Sequence, residues 1–304
     1  MKYAVSISLG SSKRDKRVEI KFKDETIVIE RIGLDGDVAK AKKMYEALDG
    51  QVDAFGMGGV DMYLRLEGKE YPLRAALKLI ENVKKTPVVD GRGLKHTLER
   101  RVFELAAPAL GDLPKFQQAF IPVAVDRIGL ATAASEVTEK VVFGDLMVAL
   151  GFPLPVYGLK NFKRVARFML PIVSHFPMSM LYYGSDGAEQ EPQYQKYWQE
   201  SDLIAGDFLF MRKYMPESIA GKTIITNTTT EKNLLLLKER GAGRVITSTP
   251  SYNGRSFGTN MMEAALTAYA NKGRQLTDAE LNTLIDELDL RPQVHIFNKT
   301  HPTS

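Results

Sequence analysis

The chain contains no cysteine, which excludes disulfide bonds, thiolate nucleophiles, thiolate-bound zinc and cysteine-ligated iron–sulfur clusters. Its four histidines have neither His-x-x-x-His nor Glu-x-x-His spacing, so the sequence predicts no metal centre. No uncharged run reaches the roughly 18 residues of a membrane span, and the first residues lack the pattern of a cleavable signal. We therefore expect a cytoplasmic protein without a membrane partner.

Charge of one sign is also scarce. The 304 residues include 41 Lys and Arg against 37 Asp and Glu, a net charge of +4, and neither half of the chain is strongly basic. Nucleic-acid binding requires clustered cations, so we expect no nucleic-acid partner. Hydrophobic residues make up 44% and charged residues 26%, as in ordinary globular proteins. We expect a small-molecule substrate and leave a homodimer open.

Short β-branched runs alternate with helix-like segments along the whole chain, which predicts an α/β fold with two domains. Residues 1–113 are expected to form an N-terminal α/β domain that carries substrate and catalytic residues, with helices at 73–84 and 94–106. A segment with two prolines and a glycine, 107–114, is the predicted boundary. Residues 114–270 are expected to form a C-terminal Rossmann-like, doubly wound parallel sheet. The tail, 271–304, contains a helix and a strand, and we leave open whether it returns to the first domain.

Residues 125–145 resemble the start of a dinucleotide-binding domain. A strand, a tight turn and a helix lead to a second strand whose terminal acid, Asp145, lies 19 positions after Asp126, close to the usual interval for the ribose-binding acid. The resemblance implies NAD or NADP as cofactor. The predicted cofactor-binding residues are Asp126, Arg127, Gly129, Asp145, Gly206, Asp207, Asn227 and Thr228.

The phosphate-binding motif itself is incomplete. In the G-x-G-x-x-G frame the chain reads Ala124-Val125-Asp126-Arg127-Ile128-Gly129 and keeps only the third glycine. A carboxylate at the second position would repel a pyrophosphate, while Arg127 would either grip a phosphate or pair with Asp126. Pro122 lies inside the predicted strand 119–125, so that strand is expected to start later or to run at an edge.

The segment from Asp90 to Lys95 combines a carboxylate, a guanidinium and an ammonium around one strand-to-helix turn. We predict Lys95 and Asp90 as the catalytic residues for proton transfer, with Arg92 binding a substrate carboxylate. The alternative is that Asp90 and Gly91 form only a turn. A second polar loop supplies further predicted substrate-binding residues, Arg255, Ser256 and Asn260.

Two pairs in the C-terminal half have the spacing of helix capping boxes, Asn260 with Glu263 and Thr228 with Glu231. Asp37 is expected to cap the helix that follows it.

Three motifs, Asp90-Gly-Arg-Gly-Leu-Lys95-His-Thr-Leu-Glu99, Ile204-Ala-Gly-Asp-Phe208 and Gly254-Arg-Ser-Phe-Gly-Thr-Asn260, resemble a bacterial family labelled quinate/shikimate-type 5-dehydrogenases. The resemblance implies an NAD(P)-dependent oxidoreductase that acts on a small hydroxylated carboxylate in a cleft between domains. That family's Asn-Val-Thr-x-Pro-x-Lys substrate motif is not visible here. Two alternatives stay open: a noncatalytic metabolite or nucleotide sensor, and a nonredox enzyme on the same scaffold.

Overall fold

The computed structural model describes residues 1–111, 115–181, 194–252 and 255–297, with the side chain of Arg255 outside the described part. The chain folds into two compact units. Unit 1 comprises Met1–Thr97, Val165–Asp186 and Gly258–Asp289, and unit 2 comprises Leu98–Arg164, Gly187–Phe257 and Leu290–Ser304. Both units are α/β, and the second contains a Rossmann-like sheet. The segments of these units differ from the predicted domains 1–113, 114–270 and 271–304. The division into those three domains stays a prediction.

Unit 1 is built around a five-stranded sheet. The elements up to residue 110 are β1 (Lys2–Ser8), β2 (Lys16–Phe22), β3 (Glu25–Gly33), α1 (Val38–Leu48), β4 (Ala54–Gly58), β5 (Tyr63–Leu66), β6 (Lys69–Pro72), α2 (Arg74–Leu77), β7 (Val88–Val89), α3 (Arg92–His96) and α4 (Val102–Leu110), of which α4 belongs to unit 2. The sheet order is β2-β3-β1-β4-β7, with β2 antiparallel and the other four strands parallel. The chain therefore changes direction across the sheet at β1, between β3 and β4.

The remaining elements are β8 (Phe116–Ile121), α5 (Ile128–Glu136), β9 (Thr138–Phe143), α6 (Asp145–Val148), β10 (Val156–Tyr157), α7 (Leu159–Val173), α8 (Met178–Leu181), α9 (Gln195–Glu200), β11 (Leu203–Ala205), α10 (Phe208–Tyr214), β12 (Thr223–Thr226), α11 (Glu231–Glu239), β13 (Arg244–Thr247), β14 (Ser251–Tyr252), β15 (Arg255–Ser256), α12 (Thr259–Ala270), α13 (Asp278–Glu287) and β16 (Gln293–Ile296). Seven strands form the sheet of unit 2, in the order β10-β9-β8-β11-β12-β13-β16. Its five inner strands are parallel and both edge strands are antiparallel.

The strand order of unit 2 is that of a Rossmann sheet. Counting from β8, the strands lie in the order 3-2-1-4-5-6, followed by β16 at the edge. The core of this sheet is mainly aliphatic and also includes the aromatic side chains of Phe120, Trp198 and Phe208. In such sheets ligands bind outside the carboxyl ends of the two strands where the order reverses, which are β8 and β11 here.

Helix α12 covers the sheet of unit 1 and is buried on nearly all sides, as expected for a helix with few polar residues. Ala264 and Ala268, one turn apart, pack with Ala4, Ala54 and Val89 of the sheet, so small side chains allow the helix to approach closely. At Gly91, φ is +88° and an added Cβ would lie 2.5 Å from the Asn260 nitrogen. Glycine is therefore required at position 91 for both reasons.

Several sequence-based expectations about elements are corrected. Strand β8 ends at Ile121, before Pro122, and lies in the middle of its sheet, so it neither starts late nor runs at an edge. Only 74–77 of the expected helix 73–84 is α-helical, and the expected helix 94–106 is divided into α3 and α4. The tail is divided as well, because α13 belongs to unit 1 while β16 pairs with β13 in the sheet of unit 2.

None of the helices in the described part of the chain combines the length and apolar character that a membrane-crossing segment requires.

Candidate functional site

In unit 2, the turns after β8 and β11 lie where a Rossmann sheet has its ligand crevice. Asp126 and Arg127 follow β8, and Gly206 and Asp207 follow β11. Asn227 and Thr228 follow the next strand, β12. The predicted cofactor residues thus lie at the carboxyl ends of neighbouring parallel strands, where this class of sheet binds ligands.

Asp145 fixes the turn between β8 and α5. Its Oδ1 atom accepts hydrogen bonds from the backbone nitrogens of Ala124 and Val125, at 2.9 and 2.8 Å. Its Oδ2 atom is buried and has no hydrogen-bond partner among the described residues. Burial raises the pKa of Asp145 to about 7, against the lowering effect of the two backbone amides. A carboxyl group therefore occupies the first two amides of the turn that corresponds to the glycine-rich loop.

Arg127 is the N-cap residue of α5, and its guanidinium is enclosed by carboxylates. Its nitrogens lie 2.6 Å from Glu99 Oε1, 3.1 Å from Asp207 Oδ2 and 3.5 Å from Asp126 Oδ2. Glu99 is completely buried, whereas the side chains of Asp126 and Asp207 are 24% and 27% exposed. Both expected roles of Arg127 involved a single anion, but three carboxylates meet this one guanidinium.

Asp207 connects the Arg127 cluster to the next strand. Its Oδ1 atom accepts from the Leu209 nitrogen as the N-cap of α10, and its Oδ2 atom also accepts from Asn227 Nδ2 at 2.9 Å. Of the other predicted cofactor residues, Gly129 is buried within α5 and Thr228 is half-buried after β12. The structure thus joins Asp126, Arg127, Asp207 and Asn227 in one network, with Asp145 on the neighbouring turn.

Lys95, in unit 1, is buried on α3, and its Nζ atom donates to Asp61 Oδ1 at 2.7 Å. Asp61 comes shortly after β4, behind the glycines of that strand. A buried lysine that is held by a carboxylate can donate a proton to a substrate oxygen as the ammonium, or accept one from a substrate hydroxyl as the neutral amine. Asp61 is therefore a carboxylate partner of Lys95.

The other predicted catalytic residue, Asp90, is bound by backbone groups. Its Oδ2 atom accepts from the Met62 nitrogen at 2.7 Å, and its Oδ1 atom accepts from the Arg92 nitrogen at 3.1 Å. These contacts join the loop after β4 to the turn after β7. They are the contacts of a carboxylate that organises a turn.

The predicted substrate-binding residues belong to different units. Arg92 lies over the Tyr63 ring and donates to Gln275, and Asn260 donates to Ser6 Oγ at 2.8 Å, all within unit 1. Ser256 belongs to unit 2, where its buried hydroxyl accepts from the Thr229 nitrogen at 2.7 Å. The side chain of Arg255 lies outside the described part of the chain.

Both expected capping boxes are wrong, because other residues begin these helices. Helix α12 starts after Gly258 without a side-chain cap, and Glu263 instead accepts from the Leu94 nitrogen at 3.0 Å. Burial, and the nearby Asp90 charge, raise the pKa of Glu263 to about 8. Thr230, rather than Thr228, caps α11. Asp37 does cap α1, as predicted.

Sequence reasoning missed three acids, Asp61, Glu99 and Glu263, as members of these clusters. The sequence did contain a feature that could have identified Glu263, because it is a single acid inside the apolar run Met261–Leu266. Asp61 could also have been identified from the sequence, since it ends a glycine-rich turn after a buried strand. Glu99 precedes two arginines in the polar run Glu99-Arg100-Arg101, and nothing in that pattern marks it as fully buried.

The geometry defines a Rossmann-like α/β protein. Residues 93–297 match the family described as "Domain of unknown function (DUF8754)", and the chain belongs to this family. Residues 3–90 match a second family, "Domain of unknown function (DUF8753)". Neither description names a quinate or shikimate dehydrogenase.

Two solved structures are distantly similar to the chain. One is an NAD-dependent malic enzyme from Thermotoga maritima, with 10% identity and a TM-score of 0.36 over 93% of this chain and 84% of that one. The other is a protein from Mycobacterium smegmatis in complex with β-D-fucofuranose, with 12% identity and a TM-score of 0.34 over 98% and 100% of the chains. No curated protein matches. The strand order of the chain itself defines the Rossmann-like fold.

The residues at β8 and β11 do not fit a dinucleotide. A pyrophosphate requires free backbone amides at the turn and a close approach to the helix N-terminus. Here Asp145 takes two of the turn amides, Asp126 carries a carboxylate at the close-approach position, and Arg127 is already in contact with three carboxylates.

Proposed function

We propose that the chain is a metabolite-binding protein on a Rossmann-like scaffold, and that unit 2 binds a small polar ligand without a phosphate group. The observation that carries this proposal is the carboxyl group of Asp145 on the Ala124 and Val125 amides. A phosphate would have to displace this carboxyl and would then face the neighbouring carboxylates. This proposal corresponds to the sensor alternative of the sequence analysis.

The chemistry of the ligand follows from the groups that solvent can reach. Asp126 and Asp207 keep about a quarter of their side-chain surface exposed, and carboxylates are hydrogen-bond acceptors. A ligand with hydroxyl or ammonium donors complements them, whereas an anionic ligand is repelled. We therefore expect a polyol, a nucleoside or an amine rather than a nucleotide.

Thermal unfolding of the full chain with two sets of probes tests this proposal. A ligand that binds only the folded state at about 100 times its Kd stabilises it by about 2.7 kcal/mol. We expect no saturable shift in Tm from NAD, NADH, NADP, NADPH or inorganic pyrophosphate, and a saturable shift from a member of a set of unphosphorylated polyols, nucleosides and amines.

The matched variants are Asp126→Asn in the crevice and Glu217→Gln at an exposed position of the same unit. Asp126→Asn should weaken the ligand shift and Glu217→Gln should not. Saturable stabilisation by any dinucleotide would contradict the proposal.

The second candidate is the activity that the sequence resemblance implies, an NAD(P)-dependent oxidoreductase for a small hydroxylated carboxylate. The buried Lys95–Asp61 pair favours it, because such a pair suits proton transfer at a hydroxyl. Its test is the appearance of NADH or NADPH absorbance with quinate or shikimate as substrate. Turnover that Lys95→Met abolishes and Lys84→Met preserves would support this candidate over the first.

A further inference from the structure

Helix α7, Leu159–Val173, has a buried face and an exposed face of unusual composition. Phe162, Ala166 and Leu170 are buried. One exposed line along the helix carries Lys160, Arg164, Phe168 and Ile172, four residues apart. The first two are cations, and the last two are apolar side chains that are 73% and 47% exposed.

The sequence around α7 is entirely without acids. No Asp or Glu occurs between Asp145 and Asp186, while the same stretch contains Lys160, Lys163, Arg164 and Arg167. These four cations equal the net charge of the whole chain, +4. Arg167 is paired with Glu67, so the charge of the exposed line comes from Lys160 and Arg164.

Exposed apolar side chains are concentrated in the same stretch. Besides Phe168 and Ile172, the large apolar side chains of Phe152, Leu154 and Met180 are at least half exposed. A single exposed apolar residue is ordinary on a protein surface, but Phe168 and Ile172 share one exposed line of α7 with two cations, which marks an interaction site.

We propose that the exposed face of α7 docks on an anionic membrane surface. A helix that presents cations together with phenylalanine and isoleucine matches the headgroup boundary, where lipid phosphates meet the cations and acyl chains meet the apolar side chains. Nucleic acid would leave Phe168 and Ile172 without an apolar environment. A second copy of α7 would bring no anion to Lys160 and Arg164 in either orientation, because the stretch contains no acid. The proposal departs from the expectation of no membrane partner and is independent of the ligand proposed for unit 2.

Co-sedimentation of the full chain with vesicles tests this inference. We expect binding to mixed phosphatidylcholine–phosphatidylglycerol vesicles, weaker binding at high salt, and no binding to phosphatidylcholine alone. Replacing two cations, Lys160→Gln with Arg164→Gln, should lower the partition coefficient about 30-fold, since each cation near the surface contributes about 1 kcal/mol. Phe168→Ser should lower it about 10-fold or more.

Helix α11 supplies the matched controls, Lys232→Gln and Leu235→Ser, because both side chains are exposed. These variants should bind vesicles like the unchanged chain, and circular dichroism should show every variant folded. Equal losses in the α7 and α11 variants, or no binding to anionic vesicles, would overturn the proposal. The proposal would also be overturned if vesicle binding were absent while the chain bound duplex DNA, or associated with itself, in a way that the α7 substitutions abolish.

Discussion

The two sheets differ in how charge is arranged where their strand order reverses. In unit 1, Asn260 of α12 donates to Ser6 on β1, and the buried cation Lys95 donates to Asp61. In unit 2, the turn after β8 is held by Asp145, and Arg127 contacts three carboxylates. A similar reversal of strand order thus supports two different electrostatic arrangements.

This difference shows why strand order alone does not determine the ligand. A Rossmann-like order brings a turn and a helix N-terminus to the crevice, which favours an anion there. In unit 2 the anions at this turn are the protein's own side chains, and the proposed function takes them to replace an external phosphate. The site, rather than the fold, then decides what binds.

The largest expected effect is at Arg127. Arg127→Leu removes the guanidinium and leaves Glu99, which is completely buried, without its contact at 2.6 Å. Breaking a buried ion pair from one side costs about 3–5 kcal/mol because the remaining charge stays desolvated. Urea unfolding of the variant should show a loss of this size in the free energy of unfolding.

Arg100→Leu is the matched control, because Arg100 and Glu136 form an exposed ion pair in the same unit. Exposed pairs contribute about 0–1 kcal/mol. If both arginine variants lost the same stability, the Arg127 cluster would not be the buried, carboxylate-rich arrangement that distinguishes unit 2.

The strand pattern of unit 2 was largely predictable from the sequence. Strands 203–205, 223–226 and 244–247 coincide with short apolar runs between polar turns, a pattern that defines buried parallel strands well. Helices 73–84 and 94–106 were overpredicted, since apolar spacing continues through turns that break the backbone hydrogen-bond ladder. Local pattern therefore identified the sheet better than the helices.

The site was only partly predictable. The sequence placed Asp126, Arg127, Asp207 and Asn227 at strand ends, and the structure joins them. It could not show that Glu99 enters the same cluster, because Glu99 is 28 positions from Arg127 and no local pattern connects them. Pairing between distant charges depends on packing, which sequence spacing does not encode.

A smaller effect is expected at Lys95 in unit 1. Lys95→Met keeps a long apolar side chain and removes the hydrogen bond to Asp61. Hydrogen bonds to charged groups contribute about 1.5–3 kcal/mol, and Asp61 retains some contact with solvent, so we expect a loss of about 2 kcal/mol. Urea unfolding measures it, and Lys42→Met, in an exposed pair with Glu81, is the control. A loss equal to that of Arg127→Leu would remove the proposed difference between the two sheets.

The last prediction is a pH dependence that both units share. Burial raises the pKa of Asp145 from 3.8 to about 7 and that of Glu263 from 4.5 to about 8. At a pH between the unfolded-state and folded-state pKa values, the folded chain binds more protons than the unfolded chain. Each group therefore lowers the free energy of unfolding as pH rises, by up to about 1.4 kcal/mol per pH unit. His96 acts in the opposite direction, because burial lowers its pKa to about 4.

The contribution of His96 cancels in the difference between the free energies of unfolding of each variant and of the unchanged chain at the same pH. Asp145→Asn and Glu263→Gln imitate the protonated acids, so each should gain stability relative to the unchanged chain as pH rises, up to about pH 7 and about pH 8 respectively. Exposed Glu19→Gln should show no such trend. Chemical unfolding from pH 5 to pH 9 measures these differences. If the difference in the free energy of unfolding between Asp145→Asn and the unchanged chain did not change with pH, the Asp145 carboxyl would be ionised on the turn amides, as a bound phosphate would be. The two sheets would then differ in pH response as well as in charge.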